Sequence, residues 1–272
     1  KNAFKKAKLD MKSNNSILKT IGVSLVLCLV CSSVISFAAV SLKEKQEANV
    51  LRDKQQTILA AAGLLKEQES VDQIFASISE KIINLDTGDY DFTIDLSSYS
   101  QKDYSKNELT SKTLVPKEDI AVIKRRENFA KVYLYYKDEV LEAIILPVRG
   151  LGLWGTLYGY IALESDLQTI IGLEFYKHKE TPGLGAEVDN PKWKALWKGK
   201  KVYDTNGEVI LSVIKGQVKR NSPSSLYQVD GLSGATITSK GVTNLLHFWL
   251  GEMGYGPYLK KLKESNLGNS NV

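Results

Sequence analysis

Asp230-Gly-Leu-Ser-Gly-Ala-Thr-Ile-Thr-Ser239 is a run of small and hydroxyl-bearing residues that leads into an amphipathic stretch. Gly234 and Ala235 leave the backbone nearly bare between Ser233 and Thr236, so a bulky anion can approach the main-chain N–H groups without steric cost. Beyond Thr238, the residues Val242, Leu245, Leu246, Trp249 and Leu250 keep i, i+3, i+4, i+7, i+8 spacing, which predicts a helix beginning just after the hydroxyl cluster. The unpaired N–H groups and positive dipole end of such a helix suit a phosphate, and Thr236 offers a hydroxyl at its mouth. The same residue types also make an ordinary Ser/Thr helix cap that needs no ligand. Residue chemistry alone leaves both readings open.

Upstream of this run the texture is that of β-structure. Ala130–Lys137 and Glu139–Val148 are rich in Val, Ile, Tyr and Leu on either side of Lys137-Asp138, which predicts a hairpin. Thr156–Leu163, Thr169–Tyr176 and Val209–Val218 are further candidate strands, with turns at Gly199 and at Thr205-Asn206-Gly207. Before Tyr90 the periodicity is helical. Lys43 to Lys66 has no Gly or Pro until Gly63, and Val71, Ile74, Phe75, Ile78 and Ile82 predict a second helix that ends at Asp86-Thr-Gly-Asp89. Helices at both ends of an antiparallel or mixed sheet make an α+β domain. Residues 84–120 carry no motif.

Ile21 to Leu42 is a 22-residue stretch without a charged side chain. At about 1.5 Å per residue, a helix of that length crosses a hydrocarbon core of roughly 30 Å. Ser36-Phe-Ala38 resembles a signal-peptidase site, but the apolar run is longer than a signal sequence uses, so a retained membrane anchor is expected. The six lysines and one aspartate of the first twenty residues account for +5, the whole net charge, and the remaining 30 basic and 30 acidic residues balance. A basic flank stays cytoplasmic, which places the larger part of the chain outside, and no broad basic surface points to nucleic acid. Cys28 and Cys31 are the only cysteines and both fall in the apolar run, so the rest of the chain has no disulfide. Their C-x-x-C spacing has no second cysteine pair beside it, and a metal is not expected.

The Asp-Gly-Leu-Ser-Gly-Ala-Thr-Ile-Thr run resembles the flavinylation motif of FMN-binding domains, in which FMN is joined to threonine through a phosphoester bond. Gly152-Leu-Trp154-Gly155 with Tyr158-Gly-Tyr160-Ile-Ala-Leu163, and His178-Lys-Glu180-Thr181-Pro-Gly183-Leu184-Gly185-Ala, are similar to the corresponding stretches of the NqrC family, one of the subunit families of Na+-translocating NADH:quinone oxidoreductases. The resemblance covers nearly the whole chain. It implies covalent FMN on Thr236, with Ser233, Gly234, Ala235, Thr238 and Asp230 around the attachment and Trp154, Glu180, Thr181, Gly183, Leu184 and Gly185 beside the ring. It implies further a flavin transferase that uses FAD for maturation, the other subunits of a respiratory membrane complex as partners, and electrons relayed from NADH toward quinone with sodium export. The organisation expected is a cytoplasmic basic tail (1–20), a transmembrane helix (21–42), a helical lead-in (43–85), an FMN-binding domain on the periplasmic side of a bacterial inner membrane (86–265) and a flexible tail (266–272). Leu246-His247 departs from the acidic or aromatic pair expected there. The related G-type component of ferredoxin:NAD+ oxidoreductase complexes shares the threonine motif, and a membrane-anchored binding module without cofactor is the alternative in another class.

Other chemistries fit poorly. Gly150-Leu-Gly-Leu-Trp-Gly155 spells G-x-G-x-x-G with Glu174 downstream, but Thr156–Leu163 contains Gly159 and β-formers where a dinucleotide site needs a helix. Gly231-Leu-Ser-Gly-Ala235 lacks the final glycine of a nucleophile elbow, and two histidines in all, His178 and His247, argue against a zinc hydrolase. No catalytic acid or base and no metal ligand are expected of a chain whose chemistry belongs to a cofactor.

Overall fold

The computed structural model describes residues 2–65 and 69–269, with side chains for 17–65 and 69–265. The chain divides into two units, Lys1–Leu51 and Arg52–Val272. Helix α1, Asn2–Ala61, forms the first unit, and its last turns belong to the second. Its most apolar 18-residue window has a mean hydropathy of 2.5, so by length and composition it can cross a membrane. Cys28 and Cys31 are free and exposed on it. Most side chains of the basic flank, and the tail beyond Asn269, lie outside the described residues.

The second unit is built on one antiparallel sheet. In chain order its elements are α2 (Val71–Phe75), β1 (Ile78–Asn84), β2 (Tyr90–Asp91), α3 (Gln101–Lys106), β3 (Ser111–Thr113), β4 (Arg125–Glu127), β5 (Phe129–Lys137), β6 (Val140–Leu151), β7 (Thr156–Glu164), β8 (Ile170–Lys177), α4 (Pro191–Lys194), β9 (Ser212–Val213), β10 (Gln228–Val229), α5 (Thr236–Leu250) and α6 (Gly256–Asn269). The sheet order is β2-β1-β5-β6-β7-β8, so successive strands from β5 to β8 are neighbours joined by hairpins. The β5–β6 turn places Asp138 and Glu139 at φ 49° and 65°, the left-handed pair that a two-residue hairpin requires.

Both faces of this sheet are covered, which explains why β6 is buried almost continuously instead of alternating. On one face Val132, Leu134, Ile144, Leu146, Val148 and Ile161 meet Val242, Leu245, Leu246 and Trp249 of α5. On the other, Tyr133, Ile145, Tyr160 and Ala162 meet Ile58, Leu59 and Ala61 from the end of α1, with Ile74 of α2. The period of two sends alternate residues of each strand to different cores.

The expected helix over 71–82 is corrected. Only α2 is helical, started by a capping box between Ser70 and Gln73, and Ile78–Asn84 is a strand paired with β5 from Ile78↔Tyr135 to Asn84↔Phe129. Ile74, Ile78 and Ile82 are four apart, a spacing that serves a helix face and a strand face equally, and the ladder with β5 decides between them. Helix α1 ends at Ala61, with Gly63 at φ 65° just past the helix end, and of the expected lead-in beyond it only α2 is helical among the described residues. The expected strand over Val209–Val218 shrinks to β9, paired in parallel with β10, because Gly216 at φ 82° turns the chain away.

The segment after β1 is held by a partly buried ionic network. Arg126, 1% exposed, donates to Asp86 Oδ1 at 2.6 Å and to Met253 O at 2.8 Å. Arg149 donates to Glu127 Oε2 at 2.5 Å, and Gln101 Nε2 donates to the other Glu127 oxygen at 2.5 Å. Partial burial pushes the Asp86 carboxyl up, but hydrogen bonds and charge from Lys112 and Arg126 outweigh it and hold the group below 3.8. A lowered folded value means the stabilisation is complete above the unfolded value and is lost as pH falls through the folded one. Thermal unfolding of the full chain in detergent is expected to show Asp86→Asn less stable by about 1 kcal/mol at pH 7, with the gap from wild type closing below about pH 3.8. A gap that persists unchanged at pH 3 contradicts this.

Candidate functional site

Helix α5 starts at Thr236, earlier than the apolar spacing predicts, so Thr236 is its first residue and Thr238 lies inside the first turn. The residue before it, Ala235, occupies the cap position with no side-chain hydrogen bond to the helix. The ordinary Ser/Thr cap is therefore absent: Ser233 is exposed, and Ser239 Oγ instead accepts from Leu232 N at 3.1 Å. The first backbone bond that closes the helix runs from Ser239 N to Ala235 O, which leaves the N–H groups of Thr236, Ile237 and Thr238 without helical acceptors. Thr236 is exposed, and its hydroxyl has no hydrogen-bond partner among the described residues.

Thr238 is the opposite case. It is fully buried, and its hydroxyl donates to Glu180 Oε2 at 2.5 Å. Glu180, 6% exposed, also accepts from Leu153 N at 3.0 Å and Trp154 N at 2.9 Å. One buried carboxylate thus ties the β6–β7 turn to the first turn of α5. Glycines make room for it. A Cβ on Gly152 would stand 2.6 Å from Glu180 Oε1, and one on Gly185 would stand 2.5 Å from Oε2 and 2.7 Å from Thr238 Oγ1. His178 fixes the backbone of Glu180, since Nδ1 accepts from Glu180 N at 3.1 Å and Nε2 faces Asp189 Oδ2 at 2.7 Å.

Replacing Glu180 by alanine is expected to strand two N–H groups and a buried hydroxyl, at a cost of about 3 kcal/mol. Glu180→Gln keeps one acceptor oxygen and should cost about half as much. Thermal unfolding of the full chain reads both, and equal stability of wild type and Glu180→Ala rules the clamp out.

The loop after Glu180 is a tight turn. Thr181 O accepts from Leu184 N and Ala186 N, both at 3.1 Å, and Gly183 sits at φ 75°. Leu184 reaches across to the run before α5, where a Cβ on Gly234, itself at φ 70°, would stand 2.8 Å from Leu184 Cδ2. Leu153, Trp154, Leu184 and Ile237 are all exposed, at 44%, 66%, 44% and 59%. Glu180 and Gly234 join the segments that carry them, so these exposed apolar side chains belong to segments tied to the start of α5.

The structure thus brings together Thr236, Ser233, Gly234 and Ala235 with Trp154, Glu180, Thr181, Gly183, Leu184 and Gly185. Two of the expected contact residues are occupied otherwise. Thr238 serves Glu180, and Asp230 is a strut whose Oδ1 accepts from Val218 N at 2.7 Å and whose backbone O accepts from Trp193 Nε1 at 2.8 Å. G-x-G-x-x-G is a hairpin turn closed by Gly152 N donating to Gly155 O at 2.8 Å. Leu153 and Ile237 escaped the sequence reading because exposed apolar residues carry no signal until the fold groups them.

The set suits FMN by its chemistry: a free hydroxyl, three N–H groups without helical acceptors for a phosphate, and exposed apolar side chains, one of them the Trp154 indole, for a ring. A cavity of about 260 Å³ lined by Tyr203, Glu208, Leu250 and Lys260 lies at the other end of α5, without these features. Among the described residues there is no group of His, Cys, Asp and Glu able to hold a metal.

Residues 152–251 match a family model described as an FMN-binding domain. The C component of the Na+-translocating NADH-quinone reductase of Pseudomonas aeruginosa is 49% identical over 258 residues, spanning 93% of this chain and 99% of the relative. That of Yersinia pestis is 43% identical over 263 residues, 95% of this chain and 97% of its own. The crystal structure of NqrC from Shewanella oneidensis has a TM-score of 0.73 at 39% identity, covering 78% of this chain and 98% of that one.

Proposed function

We infer, from the premise that this chain belongs to the NqrC family of Na+-translocating NADH-quinone reductase subunits, that Thr236 carries FMN as a phosphoester. Membership makes the chain one subunit of an oxidoreductase complex, with an FMN-binding domain over residues 152–251 and an N-terminal membrane anchor. The observation that carries the inference further is the contrast between two threonines. Thr236 is exposed with a free hydroxyl, while Thr238 is buried and bound to Glu180. Only the first can reach a phosphate.

FMN, when bound, supplies electron transfer, and the chain is an electron carrier between NADH and quinone in a sodium-exporting complex. Its own residues tether and orient. The N–H groups of Thr236, Ile237 and Thr238 face the phosphate, and the bare backbone at Gly234 lets it approach. Leu153, Trp154, Leu184 and Ile237 offer apolar surface to the ring, and the Glu180 clamp keeps the β6–β7 turn in register with α5. An ester at Thr236 prevents loss of the cofactor during turnover. A threonine hydroxyl is a weak nucleophile, so a dedicated flavin transferase completes the protein. The lysine-rich flank keeps the N-terminus cytoplasmic and the FMN-binding domain on the periplasmic side of the inner membrane.

Peptide mapping of denatured protein, made in a host that has the transferase, tests the inference. The FMN mass is expected on the fragment containing Thr236. A chromophore that washes off in acid, or a modified fragment elsewhere, rejects it.

A further inference from the structure

Resting on that reading of Thr236, the geometry points to a cationic cradle for the phosphoester, formed by Lys215 and Lys240. A cavity of about 250 Å³ opens beside Thr236, with Ile214, Lys215, Gly216, Leu232, Lys240 and Asn244 in its walls. Lys240 stands four residues after Thr236, one turn along the same face of α5. Lys215 comes from the facing wall, the loop that follows β9. That wall is held against the acceptor run by backbone bonds: Gly231 N donates to Gly216 O at 2.8 Å, and Ile214 N donates to Val229 O at 2.9 Å. The approach is close enough that a Cβ on Gly231 would stand 2.3 Å from Ile214 O. Residue 231 is glycine so that the lysine-bearing loop can lie there.

Both lysines are exposed, and neither has an ion-pair partner among the described residues. The carboxylate nearest in sequence to the acceptor, Asp230, is already bonded to Val218 N. Two unpaired positive charges thus share one cavity with a hydroxyl that is to carry a phosphodiester, which bears one negative charge. The pair neutralises that charge in the finished protein. During attachment the same pair receives the diphosphate of the incoming flavin dinucleotide. The bond from Thr236 Oγ1 to the flavin-side phosphorus forms, the bond between the two phosphates breaks, AMP leaves, and the hydroxyl proton passes to solvent. Lys240 and Lys215 are positioning residues here, acting on phosphate oxygens and not on the proton.

The test follows FMN attachment to the full-length chain over time, with limiting transferase and FAD, by intact mass. Lys215→Gln or Lys240→Gln alone is expected to slow attachment about threefold and the double variant about tenfold, as befits exposed charges. Arginine at both positions should restore it. Lys198→Gln, an exposed lysine away from this cavity, should attach at the wild-type rate. In matured protein the ³¹P resonance of the double glutamine variant should move to the position of a solvated phosphodiester. Wild-type kinetics and an unmoved resonance in the double variant overturn the cradle, as does equal slowing by Lys198→Gln, which would make the effect one of bulk charge. Wild-type protein that gains no FMN at Thr236 overturns the acceptor assignment itself and the cradle with it, and that failure is recognisable because it appears before any lysine is changed.

Discussion

Thr236→Ala protein, produced alongside the flavin transferase, is expected to emerge colourless and at the mass of its bare polypeptide. The reason lies in what the neighbouring hydroxyls are doing. Ser233 is exposed but precedes the helix by three residues, with Gly234 at a left-handed φ between them and α5. Thr238 is fully buried with its hydroxyl on Glu180, and Ser239 is buried and accepts from Leu232 N. Among the described residues no second hydroxyl stands free over the unpaired N–H groups, so loss of attachment should be complete. Thr238→Val is the informative companion. It removes the donor to Glu180 and should cost about 1–2 kcal/mol of stability, yet keep the flavin mass. Intact mass under denaturing conditions reads both variants. Flavin retained by Thr236→Ala, or lost by a folded Thr238→Val, would move the attachment to the other threonine.

Gly241→Val should unfold or severely weaken the protein, by about 3 kcal/mol or more, which for a unit of this size lowers Tm by roughly 6–12 °C. Helix α5 lies against the end of β6 at a point where both elements present glycine. A Cβ on Gly241 would stand 2.3 Å from Leu151 O, and one on Gly150 would stand 2.5 Å from Leu245 Cβ. Neither neighbour is the free end of a flexible side chain, so the helix itself must lift. Lifting it pulls Thr238 off Glu180 and weakens the bond from Trp249 Nε1 to Arg149 O, 2.7 Å long. Flavin attachment should fall together with Tm in this variant, whereas Thr236→Ala should leave Tm unchanged. A Gly241→Val chain with wild-type Tm would show that the contact between α5 and β6 tolerates a side chain.

Much of the site was readable before any fold was known, because its pieces are local. The hydroxyl-bearing run before α5, the Pro182-Gly183-Leu184-Gly185 turn and the β6–β7 glycines are each short backbone devices whose residue types reveal them. What could not be read is which polar group bonds which. Glu180 lies 58 residues before Thr238, and nothing in either neighbourhood announces the pair. The helical offset of Lys240 from Thr236 is visible in the sequence, but Lys215 becomes relevant only once β9 and β10 pair.

The order of residues alone determined that the chain has an apolar helix long enough for a bilayer, a sheet of hairpin-linked strands and a helix led by a hydroxyl run, since these follow from hydrophobic period, run length and turn chemistry. Tertiary structure decided between equal local options. It made Ile78–Asn84 a strand, because a four-residue spacing satisfies both periods and only the β5 ladder supplies the backbone bonds. It also left the Thr236 hydroxyl exposed and tied that of Thr238 to Glu180, because burial and a carboxylate partner are properties of the packed chain.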